Sequence, residues 1–262
     1  MHAFAVLGDE AEAGLERLLA ALDGRVGVVR ADARRAAGDG GATALARGDT
    51  EYVVDDGWRA SGDDLSVSGA LERLAPHHDY AAVVGPTDAD VPRIVVDGDA
   101  AAAAVHAESA DGLDVEAAAD AIHEADPYET LESLVAAVKR SPAAERSGAI
   151  ATFTGRVRAK DDSDDDRTEY LEFEKYDGVA ERTMRTIERE LEEREGVLDV
   201  RFHHRTGRVD AGEDIVFVVV LAGHRREAFR TVEDGIDRLK EEVPLFKKEV
   251  TESETFWVHE RE

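Results

Sequence analysis

Residues 224–249 read HRREAFRTVEDGIDRLKEEVPLFKKE. A helix is expected from His224 to about residue 241. Pro244 stops it, and residues 246–250 read as a strand. The same stretch concentrates charge. The chain has only six lysines, Lys139, Lys160, Lys175, Lys240, Lys247 and Lys248, and half of them fall here. Compact positive charge on an otherwise acidic protein suggests a site for an anionic ligand.

Working outward, residues 214–221 are apolar and β-branched, as a central strand should be. Residues 197–204 form another strand, and Thr206-Gly207-Arg208 reads as a turn. Met184, Ile187 and Leu191 give a long amphipathic helix over 179–194, ended by Gly196. Residues 169–176 alternate Tyr170, Glu172, Glu174 and Tyr176 against Leu171 and Phe173, the pattern of a half-buried strand. Residues 161–166 make an acidic loop, 148–157 a strand, 130–140 a helix and 255–258 a last strand. Strands and helices alternate unevenly, so an α+β fold is expected for this half.

The N-terminal half reads differently. Strand, helix and strand over 3–7, 10–22 and 25–30 imply a parallel pair with a crossover helix. Further strands are expected at 50–54, 80–84 and 93–96, and a helix at 65–74, giving a small α/β domain. A strand, Gly8, then a helix is where a phosphate-binding loop would sit. Here the loop carries Asp9, Glu10 and Glu12, and no Lys-Ser or Lys-Thr follows Gly14. Residues 99–127 turn Ala-, Asp- and Glu-rich and read as an acidic linker holding at most a short helix at 115–123.

At 262 residues the chain suits two domains, each able to bury a core. Its 59 acidic against 32 basic residues leave a formal charge of −27. That surface disfavours nucleic acid and anionic membranes as partners, and suits a solvated face in high salt. There is no cysteine, so disulfides and thiolate chemistry are excluded. The N-terminal residues lack the basic lead of a signal peptide, and no apolar run reaches the roughly 20 residues of a membrane span. A cytoplasmic location is expected.

Three features carry candidate chemistry. His224 and Arg225 stand at a helix N-terminus, which favours anions, and Arg225 adds a bidentate fork. Capping with surface arginines is the plainer alternative. Lys240 and Lys247 flank the Pro244 turn, which lets them approach. Paired ammonium groups lower each other's pKa and free a nucleophile or base. The plainer alternative is that Lys240 complements the helix C-terminus. Phe153 and Arg158 lie on and just after a strand end. His203 and His204 read as structural, since zinc would need a third ligand. Fifteen residues of helix separate Arg225 from Lys240 by roughly 22 Å. One small ligand touches both only if two subunits share the site.

FTGRVR (153–158), HRTG (204–207), HRREAF (224–229), KEEVPLFKKE (240–249) and Trp257-Val258 resemble, in order and spacing, the MoaE family, the large catalytic subunits of molybdopterin synthase. The resemblance covers residues 128–262 and implies the family's α/β hammerhead form of an α+β fold. It implies an enzyme that moves sulfur from a thiocarboxylated MoaD-like β-grasp carrier to cyclic pyranopterin monophosphate (precursor Z), making the molybdopterin dithiolene. It implies a homodimer of large subunits with one carrier at each end, a heterotetramer, and no cofactor. The catalytic lysines fall on Lys240 and Lys247. Substrate-binding residues fall on Phe153, Arg158, His224, Arg225, Lys248 and Arg261. Leu245-Phe246 and the acidic 161–166 loop depart mildly from the family pattern. The order of elements in residues 1–98 resembles the MobB family of P-loop proteins in degenerate form. That leaves, as the alternative, a nucleotide-binding or scaffold role in molybdenum-cofactor assembly through the N-terminal domain.

Overall fold

The computed structural model describes residues 1–31, 50–54, 56–62, 65–160, 162, 165–176, 178–251 and 253–258. They divide into two compact units, Met1–Glu129 and Thr130–Glu262.

The first unit is built on a parallel sheet of β1 (His2–Leu7), β2 (Val26–Arg30), β5 (Tyr80–Val84), β6 (Arg93–Val96) and β7 (Val105–Ala107), in the order β2-β5-β1-β6-β7. β3 (Thr50–Val54) and β4 (Trp58–Gly62) form a separate antiparallel hairpin. β1 lies at the centre, and Phe4, Ala5 and Val6 are wholly buried. A parallel sheet is covered on both faces, which is why its strands are apolar throughout. α1 (Ala11–Ala21) and α3 (Val115–Glu124) share one apolar cluster with Leu15, Leu18 and Ile122, while α2 (Val67–Leu74) places Leu71 in the cluster on Ala3, Ala5 and Val83.

Residues 99–127 are not a linker. β7 pairs in parallel with β6, Asp114 caps α3 by accepting the Ala117 N–H, and Ala118 and Ile122 are fully buried. Alanine-rich composition reads as low complexity, yet small side chains are what let α3 pack closely on α1.

The second unit holds two antiparallel sheets. The first is β10 (Val197–His204), β12 (Asp214–Ala222) and β8 (Ala149–Arg156), in that spatial order. α5 (Val179–Glu192) and α6 (Arg225–Glu242) bury Ile187, Leu191, Ile236 and Leu239 with Val218 and Val220 of this sheet, while α4 (Leu131–Lys139) brings Leu134 and Val138 to Phe217, Val219 and Leu221. β12 is covered on both sides, which accounts for its unbroken apolar run. Thr130 and Ser133 form a capping box at the start of α4.

The second sheet runs β11 (Gly207–Asp210), β9 (Thr168–Lys175), β13 (Leu245–Thr251) and β14 (Thr255–Val258). The expected turn at 206–208 is instead the start of β11, which pairs with β9 and buries Val209 completely. Four residues opened by a glycine at φ +73° carry too little periodicity to separate a short edge strand from a turn.

Candidate active site

α6 fixes the layout. It starts where β12 ends and returns over the sheet, so it runs antiparallel to β12 and parallel to β8. The β8–β12 register puts Ala149 opposite Ala222 and Arg156 opposite Asp214. His224 and Arg225 therefore lie by the beginning of β8, and Lys240 lies toward its end. Gly235 marks the midpoint. A Cβ there would come within 3.2 Å of the Phe202 ring and 3.3 Å of Val218, so glycine lets the helix settle onto the sheet. Val218 is the register partner of Phe153.

The expected residues thus separate into two groups. Phe153, half-buried against the core, lies under the middle of α6, and Arg158, exposed just beyond buried Val157, lies toward Lys240 at one end. His224 and Arg225, both exposed, stand at the other. His224 is the N-cap of α6, and its side chain makes no capping hydrogen bond. The helix is unbroken over 18 residues, so Arg225 and Lys240 stay about 22 Å apart. Within one chain Arg158 does not join His224 and Arg225.

Lys240 is exposed in the last turn of α6; Val243 and Pro244 then lead into β13. In the β9–β13 register Lys247 faces Phe173 and Lys248 faces Glu172. Successive strand residues point to opposite faces, so the two lysines part. Lys247 shares the covered face with Phe173 and Leu171, both buried. Lys248 lies on the outer face, with its Nζ donating to Glu172 Oε2 at 3.0 Å and standing 5.9 Å from the Trp257 ring centroid. That hydrogen bond raises the Lys248 ammonium above its ordinary value. Lys248 is therefore not brought into one cluster with Lys247. Arg261 lies outside the described residues, as do 161, 163 and 164 of the acidic loop.

His203 and His204 take structural places. His203 stacks on Phe217. His204 sits edge-on to Phe173 at 4.8 Å and donates its Nδ1–H to the Arg205 carbonyl at 2.7 Å. Burial, helped by the charges of His203 and Lys175, pushes its pKa down to about 4, so the ring is neutral. Among the described residues no group of three or more His, Asp and Glu side chains is placed to hold a metal.

The sequence reading passed over Lys175. It lies opposite Leu245 in the same register, on the face of Lys247, and pairs with Glu181 of α5 at 2.5 Å. Its side chain is only 13% exposed. The available signal was its place in the alternation of 169–176, on the side of Leu171 and Phe173.

In the first unit a cleft of about 380 Å³ opens at the carboxyl ends of the parallel strands, lined among others by Gly8, Asp9, Glu12, Arg30, Gly85 and Asp99. It lacks the donor set of a phosphate loop. The Asp9 N–H bonds the Asp97 carbonyl at 2.8 Å and the Glu10 N–H bonds that of Val96 at 3.3 Å. Gly8, at φ +105°, presses so close that a Cβ would lie 1.9 Å from the Val96 oxygen. Arg30 is bound twice by Glu12, each contact 2.9 Å. The N–H groups of Asp9 and Glu10 are used within the fold, and Arg30 is paired. Among the described residues no helix is long and apolar enough to cross a membrane.

The second unit is thus an α+β fold with exposed cations at both ends of α6. The MoaE protein family model matches residues 123–242. Along its whole length the chain is 53% identical, over 266 residues, to a Haloferax volcanii protein named probable molybdopterin synthase, covering all of both. It is 37% identical over 128 residues to a Pyrococcus abyssi molybdopterin synthase catalytic subunit, covering 49% of this chain and 82% of that one. A solved Staphylococcus aureus molybdopterin synthase aligns at 36% identity and a TM-score of 0.42 over 44% of this chain and 83% of the other. The chain belongs to the molybdopterin synthase family, with most of its MoaE match in the second unit, and is an enzyme of molybdenum-cofactor biosynthesis.

Proposed function

We propose that the chain is the large subunit that transfers sulfur from the thiocarboxylated C-terminus of a MoaD-like carrier to precursor Z. The carrier's thiocarboxylate sulfur forms a bond to a side-chain carbon of the pyranopterin as a carbon–oxygen bond at that carbon breaks, its oxygen leaving as water or on the opened phosphate. Water then cleaves the acyl–sulfur bond, leaving sulfur on the pterin and a carboxylate on the carrier. A second round completes the dithiolene.

Both reactants are anionic, and the chain's net charge of −27 repels them everywhere except near local cations. Lys240 serves as proton donor and acceptor or as transient nucleophile, and Lys247 holds the thiocarboxylate. Arg158 binds phosphate at the same end, and Phe153 gives the pterin an apolar wall. His224 and Arg225 reach this site from a second subunit, so the working unit is a dimer of large subunits with a carrier at each end.

The observation that supports this reading is that Lys240 in the last turn of α6 and Lys247 on β13 stand on either side of the Val243-Pro244 turn. The test is reconstitution. Purified chain, thiocarboxylated carrier and precursor Z should yield dithiolene product. Carrier binding without product would sink the proposal.

A further inference from the structure

Helix α5 sorts its charges. Its four carboxylates are used inside the chain. Glu181 pairs with Lys175, and Glu190 pairs with Arg238 at 2.6 Å. Glu188 and Glu192 accept the Phe202 and Val200 N–H groups of β10 at 2.7 and 2.9 Å. The arginines of the helix are left outside. Arg182, Arg185 and Arg189 are exposed, and among the described residues none of them meets a carboxylate. Arg189 donates to the Arg185 carbonyl at 3.1 Å and to the Thr186 hydroxyl at 3.2 Å, both on its own helix. On a chain with 59 acidic residues this is unusual. Arg30, Arg156, Arg194, Arg205, Arg208 and Arg238 each hold a carboxylate.

The three arginines fall at i, i+3 and i+7, so they line one face of α5 over about 10 Å. Glu181, Glu188 and Glu192 form a separate row, bound to β9 and β10. One turn before Arg182 stands Val179, exposed at the first position of the helix. Its N–H is accepted by the carbonyl of Tyr176 at 3.0 Å, and the exposed Tyr176 ring meets the exposed Phe246 ring edge-on at 5.5 Å. The face is a row of three cations with an apolar end. Among the described residues Glu193, at the C-cap one turn after Arg189, makes no ion pair with it. Arginine and aromatic side chains carry much of the binding energy where proteins meet.

We propose that this face of α5 docks an acidic segment of another protein, a helix whose carboxylates recur at the same one-turn spacing and whose row ends in an apolar residue. Charge complementarity selects that occupant. Each guanidinium offers a planar fork that matches a carboxylate. The row is too long for one small anion to span. A nucleic acid would bring many phosphates into the field of a chain at −27, against only three local cations.

The probe is a fluorescein-labelled, Ala-based helical peptide of about 18 residues, with Glu at three positions of one face and Leu one turn beyond. Fluorescence anisotropy on the intact chain at low salt reads its binding. The titration needs neither carrier nor pterin, so its outcome is independent of the sulfur-transfer reading. The parent chain should bind saturably, and more weakly as salt rises. The triple variant Arg182→Gln, Arg185→Gln, Arg189→Gln should bind about tenfold more weakly or worse. Arg17→Gln, Arg25→Gln, Arg73→Gln removes the same charge from exposed positions of the first unit and should change affinity by less than about twofold. Absence of binding, or equal losses in the two triple variants, overturns the proposal. A single-stranded oligonucleotide that binds the α5 face more tightly than the peptide overturns the choice of a protein partner. Dissociation of the parental oligomer in the α5 variant would show that a second copy already covers the face, and overturns it as well. If that variant fails to fold, Arg185→Gln alone, in the middle of the row, should weaken binding by about twofold or more. Unchanged affinity there overturns the proposal.

Discussion

Lys247 and Lys248 are consecutive on β13, yet Lys247 lies across from buried Phe173 and Lys248 across from Glu172. One strand period assigns one lysine to the covered side of the sheet and the other to an outer-face ion pair. Lys247→Met should lower turnover by about a hundredfold or more. Lys248→Met should leave it within about twofold, since partly exposed pairs contribute little. Steady-state assays of both variants with thiocarboxylated carrier decide the point. Equal losses would mean that the faces do not matter.

Lys240 is exposed at the last turn of α6, so truncating it opens no cavity. Lys240→Ala should abolish product formation while sedimentation velocity and thermal melting match the parent. An unaffected rate removes it from the mechanism.

Glu188 gives a pH signature. Burial raises its carboxyl from 4.5 to about 7, with like charge from Glu192 and Asp199 adding, although it accepts the Phe202 N–H at 2.7 Å. The folded chain thus holds this proton more tightly than the unfolded one. The stability it contributes is full below about pH 4.5 and is lost as pH rises toward about 7, at most about 3 kcal/mol. Glu188→Gln keeps an acceptor for Phe202 and should raise the melting temperature at pH 8 but not at pH 4.5. Equal effects at both pH values would contradict the assignment.

Ile122 tests the extent of the first unit. It is fully buried in the cluster shared by α1 and α3. Ile122→Ala should cost about 2–4 kcal/mol in denaturant unfolding. A linker residue would cost close to nothing.

Most of the second unit was legible because its signals are local. The run 214–221 names a central strand, Pro244 ends a helix, and alternation in 169–176 names the half-buried β9. The helix count from Arg225 to Lys240 already separated the two cation groups. What was not legible depends on pairing between distant segments. Only the β9–β13 register shows that Lys248 faces away and that Lys175 and Lys247 share one face. Only the order of β8, β12 and α6 shows that Arg158 joins Lys240 rather than His224. In residues 99–127 the polar, alanine-rich composition concealed α3, whose burial comes from partners about a hundred residues away in sequence. The loop after β1 was legible as lacking a P-loop's residues. That its N–H groups are bound to Val96 and Asp97 required the neighbouring strand.

The central claim is a site completed by two subunits, and mixing inactive variants tests it most directly. Arg225→Ala and Lys240→Ala chains are each expected to be inactive alone. Unfolded together and refolded as an equimolar mixture, they should recover about a quarter of parental turnover, because half of the dimers are mixed and each of those has one intact site. A mixture as inactive as its components would place Arg225 and Lys240 in the same chain's site and contradict the account.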